Sequence, residues 1–439
     1  MTRSIGIVLV ALVPLIFAGC SAHGPRLGTG DSLVPDTDAA DALTPTHWVA
    51  TTGSDNWPGT QAQPWLTLGH AAESVVAGDV VQVAPGAYEG FYLETAGAQG
   101  HPIVFRGRVG QGAWVVINAA NGRTPDGINV ENSGWAVIQG FSVDAMPRAG
   151  IRVAVSPHVT VRKCRCRNNQ EWGIFTAFAD HVLIQGNLCS GSQDQHGIYV
   201  SNSGDYPIVR GNTCSGNHGC GIHCNGDASM GGDGIISHAV FERNVVYDNG
   251  TSGGSGINCD GVCDSVIRNN LIYGNHASGI SLYRIDGATG SKRNQVVNNT
   301  VVQAPDGRWC LNINTGSTGN LARNNILLHT LTYRGSLVID HSPRTGFSSD
   351  YNLVSGPFSA NGDTTLLTLA QWQALGYDPH STLTTAALVF VDPAAGNYRP
   401  KPGGPAIDTG DPTYAPRNDL LGRPRPQGAG YDIGCLEGP

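Results

Sequence analysis

A Gly-Ile step recurs at Gly127, Gly150, Gly173, Gly197, Gly221, Gly256 and Gly279, with Cys310-Leu311 in the equivalent place, at intervals of 23, 23, 24, 24, 35, 23 and 31 residues. Self-similarity at such a period indicates stacked structural units, each too small to bury its apolar face alone. A second ladder runs in phase, an apolar residue three before an asparagine: Ile184 to Asn187, Val209 to Asn212, Phe241 to Asn244, Ile267 to Asn270, Val296 to Asn299. Two phased ladders mean one coil of chain per repeat. After each Gly-Ile the residues alternate, as in Ile222-His223-Cys224-Asn225 and Ile257-Asn258-Cys259-Asp260, which is the period of a strand. The apolar set Ile198, Val200, Ile222, Cys224, Ile257, Cys259, Ile280, Leu282, Leu311 and Ile313 is then inward, and the asparagines form a hydrogen-bonded ladder at a turn.

The segments lack the 3.6-residue periodicity of ankyrin or tetratricopeptide repeats and the leucine pattern of leucine-rich repeats. With 60 glycines, 25 prolines and only 14% charged residues, the composition also favours short strands and tight turns. The expected fold is all-β, a single-stranded right-handed parallel β-helix with an N-terminal cap and an irregular C-terminal cap.

Residues 47–355 resemble the pectin-lyase-like right-handed β-helix superfamily. The opening Trp48-Val49-Ala50-Thr51-Thr52-Gly53-Ser54-Asp55, with Pro58-Gly59-Thr60 and Pro64-Trp65-Leu66-Thr67-Leu68, resembles the start of many secreted members. The amphipathic stretch Leu66 to Val76 is read as the cap of the first coil, since an open solenoid end exposes strand edges. From Tyr351 the ladder fades into Pro, Gly and Asp, and residues 356–439 are read as a packed closing segment.

The first 19 residues carry Arg3, an apolar run from Ile5 to Phe17, and Ala18-Gly19 before Cys20, and they resemble a bacterial lipoprotein signal peptide. That resemblance implies cleavage, lipidation of Cys20, a flexible linker over 20–46, and an extracytoplasmic location in which the membrane is touched only through the lipid. A formal charge of −8 excludes a global basic field for nucleic acid. A monomer is expected. The even number of cysteines after Cys20 allows disulfides, and Cys224 with Cys259, at one inward position of successive coils, is the candidate pair.

The superfamily hosts lyases, hydrolases, epimerases, esterases and adhesins, so function has to come from the outward face. Register places Asn129, Arg152, Phe175, Tyr199, His223, Asn258, Ser281 and Asn312 in one outward row, and Glu131, Ala154, Ala177, Ser201, Asn225, Asp260, Tyr283 and Asn314 in a second. His223, Asn225, Asp227, Asn258, Asp260, Tyr283, Arg284 and Asp286 then project from three adjacent coils within about 10 Å. His196 and Tyr199 line the upper edge, and the insertions Asp227 to His238 and Gly287 to Arg293 flank the face.

These residue types suit polyuronate β-elimination, with His223 or Tyr283 exchanging protons and Arg284 neutralising the substrate carboxylate. Calcium held by Asn225, Asp227 and Asp260 is the alternative neutralising charge. His196, Tyr199, Asn258 and Asp286 are assigned to substrate. The expected partner is a polysaccharide, acidic in character. The basic residue usual in calcium-dependent relatives has no lysine counterpart on a central strand; Lys292 in its loop is a substitute. Two further readings stand beside the lyase. One is a hydrolase using a pair among Asp227, Asp260 and Asp286. The other is a non-catalytic surface protein that binds polysaccharide.

Overall fold

A computed structural model describes residues 39–107 and 113–438. The leader read over residues 1–19, the lipidated Cys20 and the linker up to residue 38 lie outside the described residues.

Three parallel sheets of 12, 11 and 12 strands run along a solenoid, each coil giving one strand to each sheet. The first sheet begins at His47–Val49. The second begins at Phe91–Leu93, carries the Gly-Ile steps, and is called the site sheet here. The third begins at Gly86–Glu89. Ile174, Ile198, Ile222, Ile257, Ile280 and Leu311 stand in one register column, all fully buried. The glycine before each is enforced by proximity: a Cβ on Gly173 would lie 2.5 Å from the carbonyl of Gly197, and one on Gly197 2.8 Å from that of Gly221. The motif therefore marks where adjacent coils approach most closely.

The asparagine ladder is continuous and buried. Each side-chain N–H₂ donates to the next Oδ1, from Asn187 through Asn212, Asn244, Asn270, Asn299 and Asn325 to Asn352, at 2.9 to 3.1 Å. A second ladder, Asn217 to Asn249 to Asn275, turns the next corner. Buried amides are tolerated here because both donor and acceptor are used by the coils above and below.

At the N-terminal end the helix Leu68–Ser74 buries Leu68, Ala71 and Ala72, and Thr67 accepts from the His70 N–H as its N-cap. At the other end Phe358, Leu369 and Trp372 join the main core. The remainder of the tail turns back along the outside of the solenoid, where Leu420, Leu421, Cys435 and Leu436 pack on Val245, Leu271 and Tyr273.

The cysteine columns form as the register requires, Cys224 beside Cys259 and Cys166 beside Cys189 beside Cys214. The disulfide reading is corrected: Cys224 and Cys259 are free and buried, as are the other cysteines from Cys164 to Cys435. In-register neighbours of a parallel ladder hold their Cβ atoms near the strand spacing of about 4.8 Å, longer than the ~3.8 Å that a disulfide favours.

Candidate active face

Pairing sets the outward residues of the site sheet side by side. Tyr199, His223, Asn258, Ser281 and Asn312 form one row, and Ser201, Asn225, Asp260 and Tyr283 the next. A third outward row lies two residues before each isoleucine and includes Trp172, His196, Cys220, Ser255 and Ser278. Only His196 of that row was singled out from sequence. The signal for the others was the same offset from the Gly-Ile step.

Asn258 is the hub. Its Nδ2 donates to the Tyr283 hydroxyl at 2.7 Å and lies 3.1 Å from His223 Nδ1, while its Oδ1 accepts from Ser255 Oγ at 3.0 Å. His196 Nδ1 accepts the backbone N–H of Cys220 at 2.9 Å. With both Nδ1 atoms turned to N–H donors, each neutral ring carries its proton on Nε2, an assignment that follows from these partners. Burial holds both imidazoles neutral: His223, 8% exposed, is pushed down to about 4, and His196 lies well below the ordinary histidine range, with His223 adding to it.

Burial likewise pushes the Tyr199 phenol up to about 12 and raises that of Tyr283 further, with the Asp260 carboxylate among the lesser contributors. Tyr199 stacks on His223 with centroids 4.8 Å apart and meets His196 edge-on at 5.2 Å. An aromatic strip continues toward the N-terminal coils, Phe175 edge-on to Tyr199 at 5.4 Å and Trp172 on Phe175 at 4.5 Å. Trp172, Phe178 and Tyr199 are only partly buried.

The carboxylates and Asn225 serve the backbone. Asp260 is 1% exposed, and its oxygens accept from the N–H groups of Ile285, Asp286 and Gly287 at 2.9 to 3.1 Å. Burial raises its pKa and these bonds oppose the rise. Asn225 Oδ1 accepts the Asp227 N–H, and its Nδ2 points to Asp286 Oδ2 at 3.2 Å and the Tyr199 hydroxyl at 3.3 Å. Asp227, in the left-handed region at φ 45°, caps the turn Ala228–Met230 through Ser229. Calcium needs several convergent oxygens. Both oxygens of Asp260 are taken by backbone N–H groups, while Asn225 Oδ1 and Asp227 Oδ1 each accept within the turn, so the oxygens of Asp260 are not presented to an ion.

Among the described residues the one group of three metal-ligating side chains is His196, Cys220 and His223, within 4.8 Å of one another. Their Nδ1 atoms are occupied and burial pushes the Cys220 thiol up to about 12, so the group offers imidazole N–H donors. Arg284 is exposed at the end of its strand, and its guanidinium makes no hydrogen bond or ion pair among the described residues. Asp286 is exposed beside it. Thus His196, Tyr199, His223, Asn225, Asn258 and Tyr283 form one connected surface, Asp286 and Arg284 stand at its rim, and Asp260 supports the rim from beneath.

Stacked three-sheet coils make this chain a right-handed parallel β-helix. Residues 126–301 match the family model described as the right handed beta helix region. Among solved structures, the fold is similar to that of the pectate lyase Pel9A, with TM-score 0.55 and 14% identity over 91% of this chain and 98% of that one. It is also similar to a rhamnogalacturonan lyase, with TM-score 0.57 and 14% identity over 79% of this chain and 91% of that one. At such identity the likeness concerns the fold. No curated relative matches the chain.

Proposed function

We propose that this protein acts on an acidic polysaccharide outside the cytoplasm, by metal-independent β-elimination at the outer face of the site sheet. The observation that carries the reading is the Tyr283 hydroxyl held at 2.7 Å by Asn258, beside two imidazoles fixed as neutral N–H donors. A uronate carboxylate docks against Arg284, and the Nε2–H groups of His196 and His223 stabilise the charge that spreads onto it as the neighbouring C–H bond breaks. The Tyr283 phenolate takes that proton, the electron pair forms the new C=C bond, and the glycosidic C–O bond at the adjacent carbon breaks. Tyr283 then returns the proton to the leaving oxygen. The Asn258 N–H favours the phenolate, while burial, the larger influence, disfavours it, so turnover is low near neutral pH and rises through the alkaline range. His223 thereby acts as a donor; its Nδ1 lone pair faces Asn258 and is not presented to substrate.

The lyases among the similar structures support a polysaccharide as substrate class. A hydrolytic pair that includes Asp260 gains no support, because Asp260 is saturated by backbone N–H groups. Non-catalytic binding is the second reading, favoured by the partly exposed aromatic strip at Trp172, Phe178 and Tyr199, a surface on which sugar rings stack. The test incubates the protein with polygalacturonate, alginate and neutral glycans, with calcium or with chelator. Unsaturated product formed equally under chelator is the expected result. New reducing ends without unsaturation, or binding with neither product, overturns the elimination.

A further inference from the structure

The first sheet carries an outward column of a different kind. In register order it reads Gln82, Arg106, Gln139, Arg162, Gln185, Arg210, Glu242, Arg268, Val297, Arg323 and Asp350, with an arginine on every second coil from Arg106 to Arg323. In a chain of net charge −8 this is a concentrated basic track, its guanidinium groups repeating at about 9.6 Å, twice the strand spacing.

The chain itself shows what the track holds. Asp41 of the N-terminal segment lays its Oδ1 on Gln139 Nε2 at 2.6 Å and Arg162 Nη2 at 3.0 Å, and its Oδ2 on Lys163 Nζ at 2.8 Å. An arginine and the glutamine of the preceding coil thus make a carboxylate cradle. Farther along, the tail arches over the same sheet and encloses a groove of about 460 Å³ lined by Arg243, Arg268, Gln295, Tyr414 and Arg417. Among the described residues Glu242 is the one acid lining it, and that carboxylate is already shared by Arg210 and Arg268. Arg417 is exposed, and its guanidinium makes no hydrogen bond or ion pair among the described residues. Positive charge therefore exceeds negative in a concave site that also offers the Tyr414 ring.

We infer that this groove is a second carboxylate-binding site, which holds a stretch of acidic polysaccharide against the first sheet, away from the site sheet. That the carboxylates belong to a polysaccharide rests on the preceding section; that the groove takes carboxylates rests on the arginine column and on Asp41. A long acidic chain bridging two faces gains affinity by linkage that a short one lacks.

The test measures binding of polygalacturonate to the whole protein by calorimetry, with neutral galactan as control, for the parent and for Arg417→Glu, Arg417→Lys and Tyr283→Phe. Arg417→Glu should weaken polygalacturonate binding on the order of tenfold, Arg417→Lys should largely restore it, and turnover of a short oligogalacturonate should be unchanged in both. Rising salt should erode the difference. Undiminished binding in Arg417→Glu, or equal binding of galactan, overturns the site. Binding that persists in Tyr283→Phe while turnover is absent even in the parent overturns the elimination and leaves the groove standing.

Discussion

The outer faces of the site sheet and of the first sheet share one ladder geometry and differ in how their polar groups are satisfied. On the central coils of the site sheet the row from Tyr199 to Asn312 is uncharged, and Tyr199, His196, His223, Asn258 and Tyr283 bond and stack on one another across coils. On the first sheet the column is ionic, and each arginine is met by a glutamine, a carboxylate or a chain segment laid over it. A buried neutral network holds its members in one protonation state and one geometry, which chemistry requires. An ionic column whose arginines, Arg162 apart, stay partly exposed keeps its charge and adapts to the anion that covers it, which suits binding. Position in a coil thus fixes direction, and the neighbours above and below decide the chemistry.

The contrast breaks most visibly at Tyr283. Tyr283→Phe should lower turnover on the responsive substrate by about a thousandfold, with the melting transition nearly kept, because the ring still packs and only the proton carrier is lost. Arg284→Ala should cost about a hundredfold, again without a large change in melting, since the side chain is exposed at the strand end. Retained activity in either variant would move the reaction off this face.

The neutral state of the network should appear in the pH dependence of stability. His223 titrates at about 4 when folded against about 6.5 in an unfolded chain, so the unfolded state binds the proton more readily. The stability tied to its neutral form is full above about pH 6.5 and is lost as pH falls toward 4, to a limit of about 3 kcal/mol. Denaturant titrations at pH 7 and pH 4.5 should show a smaller loss in His223→Gln than in the parent. An equal loss in both would place the proton elsewhere.

Asp260 sharpens the comparison from the side of structure. Asp260→Ala leaves the N–H groups of Ile285, Asp286 and Gly287 without their acceptor and should cost about 2 to 3 kcal/mol in denaturant titration, with a larger change than Asp227→Ala. The exposed Asp227 turn should cost about 1 kcal/mol. The smallest expected effect is that of reductant: a melting temperature unchanged by dithiothreitol accords with the free thiols at Cys224 and Cys259, and a clear fall would indicate a bridge.

The sequence by itself determined the coil. Gly-Ile steps, alternation and asparagine ladders each answer to a constraint that repeats on every turn: close coil approach at Gly173 and Gly197, an inward apolar column, and amides satisfied by their copies. Repetition made those constraints legible, and the two outward rows at Tyr199 and Asn225 followed from the same register. What occupies the functional oxygens and nitrogens was decided by contacts that do not repeat. Asp260 looked like a calcium ligand because its type and spacing suit one, yet residues 285–287 return over it and consume its oxygens. His223 was assigned to proton exchange by residue type, and the partner of its Nδ1 is Asn258, 35 residues away in sequence. The tail was read as an end piece, and only folding packed it on the third sheet and brought residues 413–418 against the first sheet to make the groove around Arg417. Local pattern sets which way a side chain points, because strand geometry is periodic; which partner meets it there depends on loops and tails whose paths are set by packing over long sequence distances.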